Sequence, residues 1–138
     1  MRDMPYTLDD LVNAVREVAA ERPDFIYKRR TYTNHEKVCV YTEPDGTPSC
    51  IIGVALARVG DPVPSWDEDR FYSPSVDREL TIFGTRVWLD YFGIDNIWNE
   101  SDEVRSRIHW LNYLQNQQDN GATWSEAVEW ADRNYAII

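Results

Sequence analysis

The chain has 138 residues, 43% of them apolar, and a formal net charge of −10 from 24 acidic and 14 basic side chains. A chain of that length can bury about two thirds of its unfolded surface as one domain, and its apolar content excludes a disordered polymer. The acid excess excludes a general nucleic-acid binder and a protein that adheres to anionic membranes, since both require Lys and Arg, and the one basic cluster is Lys28-Arg29-Arg30.

Thr7 is suited to cap a helix over residues 8–21, with Asp10 in the first turn. Leu8, Leu11, Val12, Val15, Val18 and Ala19 recur on one helical face, and Pro23 ends the pattern. Phe25-Ile26-Tyr27 reads as a short strand. Lys37-Val38-Cys39-Val40-Tyr41-Thr42 is β-branched and aromatic, and it is expected to pair with residues 25–33 in a small hairpin.

Pro44-Asp45-Gly46 sets a turn. Thr47 is expected to cap the next helix, with Pro48 at its first position. That helix, residues 49–59, carries only Arg58 as a charge between Cys50 and Gly60, and a helix apolar almost all round is a buried one. Gly60 and Pro62 stop it. Residues 61–77 form a long Pro-rich loop bearing Trp66, Phe71, Tyr72 and the acidic run Asp67-Glu68-Asp69.

Leu80, Phe83, Val87, Trp88 and Tyr91 share the face of a further helix closed by Gly93. Asn99 or Ser101 starts the next, with Val104, Ile108, Leu111 and Leu114 facing inward and Asn120-Gly121 at its end. Thr123 and Glu126 make a capping box for the last helix, lined by Ala127, Val128 and Ala131. A three-residue link makes these last two an antiparallel pair. The expected architecture is a single domain over residues 1–138, mainly α with a small β-hairpin. About five helices surround the buried helix 49–59.

Little in the chain points to chemistry. Cys39 and Cys50 read as free buried thiols, although the turn between them leaves a disulfide open. Cys50 at a helix start, with His109 or His35 as base, is the one nucleophile–base pairing available. Its flanking Ile51 and Ile52 and the absence of an orienting motif weigh against it. No short Cys or His pairs suit zinc, the glycines are too dispersed for a phosphate loop, and Asp67-Glu68-Asp69 lacks calcium-loop spacing. We therefore expect no catalytic residue, no metal and no cofactor. Interaction surfaces are more legible. Trp66, Phe71 and Tyr72 crowd a long loop, and loops of that kind carry function more often than fold. The amide run Gln115 to Asn120, with Gln115 and Gln118, lies beside the large ring of Trp124 and reads as an interface patch.

The segment Pro48-Ser49-Cys50-Ile51-Ile52-Gly53-Val54-Ala55-Leu56 resembles the Cys-x-x-Gly-x-x-Leu helix of small actinobacterial and actinobacteriophage accessory proteins. Gln118-Asp119-x-Gly121-x-x-Trp124 is similar to the C-terminal Gln-Asp-x-Gly-x-x-Trp segment of that group. The resemblance implies a phage-encoded accessory protein and assigns no catalytic residue. The expected function is thus a non-enzymatic protein-binding factor acting on a host or phage protein in the host cytoplasm. Direct contact with nucleic acid or membrane is not expected, and a second copy of the chain is a further candidate partner. Met1-Arg2-Asp3-Met4-Pro5-Tyr6 lacks a signal-peptide core, which agrees with that compartment. The alternatives are a small enzyme using Cys50, and an acidic DNA mimic presenting Asp67, Glu68, Asp69, Asp102 and Glu103.

Overall fold

A computed structural model describes residues 5–28, 30–31, 37–38, 47–48, 50–61 and 93–138. Among the described residues the chain is mainly helical, with α1 (Leu8–Glu21), α2 (Ile51–Arg58), α3 (Asp102–Asp119) and α4 (Trp124–Asn134). The fifth expected helix, residues 80–91, lies outside them, as does the loop beyond Asp61.

The starts of α1, α3 and α4 and the ends of α2 and α3 follow local chemistry closely. Thr7 Oγ1 accepts the Asp10 N–H at 3.0 Å, and Asp10 Oδ2 accepts the Thr7 N–H at 2.9 Å. Thr123 and Glu126 repeat this reciprocal box at the start of α4, both bonds 3.1 Å long. Ser101 Oγ caps α3 by accepting the Val104 N–H at 3.2 Å. Gly60 (φ 80°) and Gly121 (φ 99°) take the left-handed conformation that closes α2 and α3. Each closure is a Schellman pair: the Asp61 N–H reaches the Leu56 carbonyl at 3.0 Å, and the Ala122 N–H reaches the Gln117 carbonyl at 3.1 Å.

Two expectations about the chain between α1 and α2 need correction. Residues 25–27 do not run in a hairpin. Ile26 forms an isolated antiparallel bridge with Thr123. The Trp124 N–H donates to the Phe25 carbonyl at 3.0 Å and the Ser125 N–H to that of Pro23 at 3.1 Å. The post-Pro23 chain is thereby tied to the start of α4. Among the described residues a ladder joins β1 (Arg30–Thr31) and β2 (Lys37–Val38), antiparallel with Arg30 opposite Val38. The rest of the expected 37–42 strand lies outside the described residues.

The second correction concerns α2. It starts at Ile51, later than expected, and neither Thr47 nor Pro48 belongs to it. Its N-cap is Cys50, which makes no side-chain capping bond. The cap comes from α3 instead: Gln118 Oε1 accepts the Ile51 N–H at 2.8 Å across 67 residues of sequence. The same oxygen accepts the Trp124 indole N–H at 3.1 Å, and Gln118 Nε2 donates to Asp119 Oδ1 at 3.0 Å. Gln118 and Trp124 are both completely buried.

Around this junction α1 packs chiefly on α2, and α3 on α4. Leu11, Val15, Ile51, Ile52, Leu56, Ile108, Leu111 and Leu114 are fully buried between them. Each contributes roughly 1.5–3 kcal/mol through the apolar area it removes from water. The two helix pairs are joined on their outer side by Arg16 of α1 and Asp132 of α4, a bidentate pair at 2.7 and 2.8 Å. The Trp110 indole N–H donates to the same Asp132 Oδ1 at 2.9 Å, and the Arg16 guanidinium lies 5.0 Å from the Trp110 ring centre. Arg58 of α2 reaches Glu21 of α1 at 2.7 Å.

Two predictions follow from these contacts. Gln118→Leu removes the acceptor of two buried donors and should cost about 2–6 kcal/mol in urea unfolding, at roughly 1–3 kcal/mol per orphaned group. In a Trp124→Phe background one of those donors is already gone, so the same substitution should cost about 1 kcal/mol less. Equal costs in both backgrounds would refute the shared acceptor.

The second concerns acid. The Arg16 hydrogen bonds hold the Asp132 carboxyl below the usual carboxylate range, against some desolvation, with the Trp110 bond adding to the effect. Arg58 lowers Glu21 in the same direction. A lowered carboxyl stabilises the fold above its unfolded pKa, and that stability is lost as pH falls through the folded value. The urea midpoint of the wild type should therefore drop below about pH 4. Asp132→Asn should be less stable at pH 7 and flatter across that acid limb. The pair is about two-fifths exposed on both sides, so solvent screening keeps the effect modest.

Candidate interaction surface

Three of the six interface residues that the sequence nominates lie among the described residues, and the structure buries all three. Gln115, Gln118 and Trp124, expected on an interface patch, are 4%, 0% and 0% exposed and cannot meet a partner in this fold. The reason is helical phase. Leu111, Leu114, Gln115 and Gln118 are spaced three and four apart, so the amides continue the buried stripe of α3. That spacing was readable, but polarity masks it. Trp66, Phe71 and Tyr72 lie outside the described residues, as do His35, Cys39 and Asp67 to Asp69.

The Cys50–His109 pairing is not assembled. Cys50 is a free thiol with no exposed surface, beside the Ile51–Gln118 contact. His109 and Gln118 are nine residues apart on α3. That is two and a half turns, which sets them on opposite faces and about 13 Å apart along the axis. The His109 imidazole stacks on Tyr135 instead, with ring centres 5.8 Å apart. Burial, and then the Arg105 charge, push its pKa down, so it stays neutral at neutral pH. Among the described residues, no group of three His, Cys, Asp or Glu side chains is placed to share a metal ion. None of the helices there is long and apolar enough to cross a membrane.

One open groove of about 400 Å³ runs between α1 and α2, lined by Pro5, Tyr6, Asp10, Asn13, Glu17 and Arg58 among others. Its charges already have intramolecular partners: Asp10 serves the α1 capping box, and Glu17 lies 3.5 Å from Arg58.

The residue that sequence reading missed is Trp98. It sits in a single 3₁₀ turn, Ile97–Asn99, just before α3. Ile97 is buried at 7% exposure, whereas the adjacent Trp98 is 74% exposed. Hydrogen bonds from both sides hold the turn. Asn96 Oδ1 accepts the Trp98 N–H at 3.0 Å. The Glu100 N–H donates to the Ile97 carbonyl at 3.1 Å. Arg105 of α3 donates through Nη1 to the Glu100 carbonyl at 2.7 Å and to the Trp98 carbonyl at 3.4 Å, and through Nη2 to Asp102. The Arg105 guanidinium carbon lies 6.0 Å from the Trp98 ring centre. A large, stiff ring is thus presented to solvent on a backbone anchored into the core.

Trp98 also opens a stripe. Arg105, His109 and Tyr113 follow at four-residue spacing on α3, about 12 Å from end to end. Tyr135, 43% exposed, packs against His109 and Tyr113, the latter with ring centres 5.2 Å apart. Asn134 Nδ2 donates to the Tyr113 hydroxyl at 3.1 Å. Trp, Tyr and Arg are the side chains in which interface energy concentrates. Comparison with protein-family models, with curated proteins and with solved structures found no match for the chain.

Because the Cys50 thiol is sealed in the core, it should be inert in the folded protein. In a Cys39→Ser background, a thiol reagent should label Cys50 only as fast as the protein opens, accelerating with urea in step with unfolding. Rapid labelling in native buffer would reopen the enzymatic reading.

Proposed function

We propose that this chain is a non-enzymatic protein-binding factor, an accessory protein that docks on another protein through the Trp98 end of the α3 stripe. The observation that carries this reading is Trp98 itself. Leaving an indole three-quarters in water forfeits roughly 2–3 kcal/mol of burial that the other described tryptophans of the core obtain. A supported ring also loses little conformational freedom on binding, since its backbone is already held. The resemblance to phage and actinobacterial accessory proteins suits the same role.

The rival readings find less support. An enzyme would need Cys50 exposed beside a base. A DNA mimic would need its carboxylates arrayed without interruption. Among the described residues Asp9 pairs with Arg107, Glu21 with Arg58, Asp102 with Arg105, Glu129 with Arg133 and Asp132 with Arg16. Acid and base are interleaved there.

The test is site-specific photocrosslinking. A benzoylphenylalanine at position 98 should give a discrete protein adduct in the cells that make this chain, and the same group at the exposed position Ala20 should not. Trp98→Ala should weaken the purified complex by about 2 kcal/mol or more. Its unfolding free energy should stay within about 0.5 kcal/mol of wild type, as for other exposed positions. Indistinguishable adducts from the two positions, or a Trp98→Ala protein that melts early and binds normally, would refute this function.

A further inference from the structure

We infer that the partner segment seated on Trp98 is basic, and that it places a Lys or Arg side chain over the open indole face. This rests on the reading of Trp98 as a docking anchor and adds the chemistry of its occupant. From Gly93 to Val104 the chain carries Asp95, Glu100, Asp102 and Glu103 and no Lys or Arg. Asp95, Asp102 and Glu103 are exposed, and Glu100 is half-buried. Among the described residues Arg105 is the cation that stands near the ring. At 6.0 Å it stands at the outer limit of a cation–π contact, and its N–H groups are directed to two carbonyls and Asp102.

The balance of energies selects the occupant. An apolar partner that covered the ring would gain its burial. It would also strip water from the flanking carboxylates, and each one left without a counter-charge would offset that gain. A second copy of the chain seated face to face would bring the same four carboxylates against their own images. A cationic segment answers both demands. Its charges meet the acidic rim, and one of them takes the negative face of the indole. The chain's net charge of −10 draws such a segment in during diffusion.

The test uses the full chain and a short fluorescein-labelled peptide of alternating Arg and Ser, with an alternating Glu and Ser peptide as counterpart. Binding is read by anisotropy at low and moderate salt. Trp98→Leu keeps an apolar side chain and removes the π face, whereas Trp98→Phe keeps a weaker one. Trp98→Leu should weaken the Arg–Ser peptide roughly three- to thirtyfold, and Trp98→Phe should weaken it less. The triple variant Asp95→Asn, Glu100→Gln, Glu103→Gln should flatten the salt dependence. The Glu–Ser peptide should not bind. Unchanged affinity in Trp98→Leu, or a salt slope indifferent to the triple variant, would overturn the inference. So would concentration-dependent dimerisation in sedimentation that Trp98→Leu abolishes, because the occupant would then be a second copy. A position-98 adduct mapping to a partner segment without Lys or Arg would overturn this inference and leave the docking function standing. Absence of any specific adduct, with the peptide still bound through Trp98, would overturn the docking function and leave only the ring's preference for cations.

Discussion

The described fold depends on one buried carboxamide. The N-terminus of α2 lies inside the protein, and the first N–H groups of a helix have no acceptor of their own. Out at the surface water would take them. Inside, an orphaned N–H costs about 1–3 kcal/mol. Gln118 supplies the acceptor for Ile51, and its second lone pair takes the Trp124 indole. A glutamate there would bring a buried charge, and a leucine would leave both donors empty. The amide satisfies two donors with one oxygen, and its own N–H goes to Asp119. Three helices meet at that oxygen, so the packing of α2 on α3 and the seating of the first residue of α4 are set together.

Three tryptophans show how the same side chain is used in different ways. Trp124 and Trp110 are fully buried, and each has its indole N–H matched, by Gln118 and by Asp132. Asp132 in turn holds Arg16, so the second match also clasps α1 to α4 across the face of Trp110. Trp98 stands on the end of this framework and faces water. Its neighbour Ile97 anchors the turn, and Arg105 ties the turn's carbonyls to α3. Rigid support beneath an exposed ring is the arrangement that makes a single side chain useful for recognition, because little order has to be created when the partner arrives. On the proposed docking reading, the carboxylates on either side of it would favour a basic partner.

The features legible in sequence are those closed within a few residues. Thr7 with Asp10, Thr123 with Glu126, and the stops at Gly60 and Gly121 all satisfy backbone groups three to five positions away, so residue type and spacing suffice. The apolar stripe of α1 and the burial of α2 belong with them, since periodicity alone orients those faces. Long-range pairing was decided elsewhere. The cap of α2 lies 67 residues from the group it satisfies, and Ile26 bridges to Thr123 at the far end of the chain. Gln115 and Gln118 read as surface because they are polar, yet packing turns them inward. Cys50 and His109 share a plausible chemistry that helical phase keeps apart. Trp98 carries no distinguishing signal in the sequence, and its exposure follows from Ile97 taking the inward position beside it. Local spacing determines where α1, α3 and α4 start and where α2 and α3 stop, because the groups involved are covalently near. Which polar group is buried, and which aromatic stays outside, depends on surfaces that meet only when the helices pack.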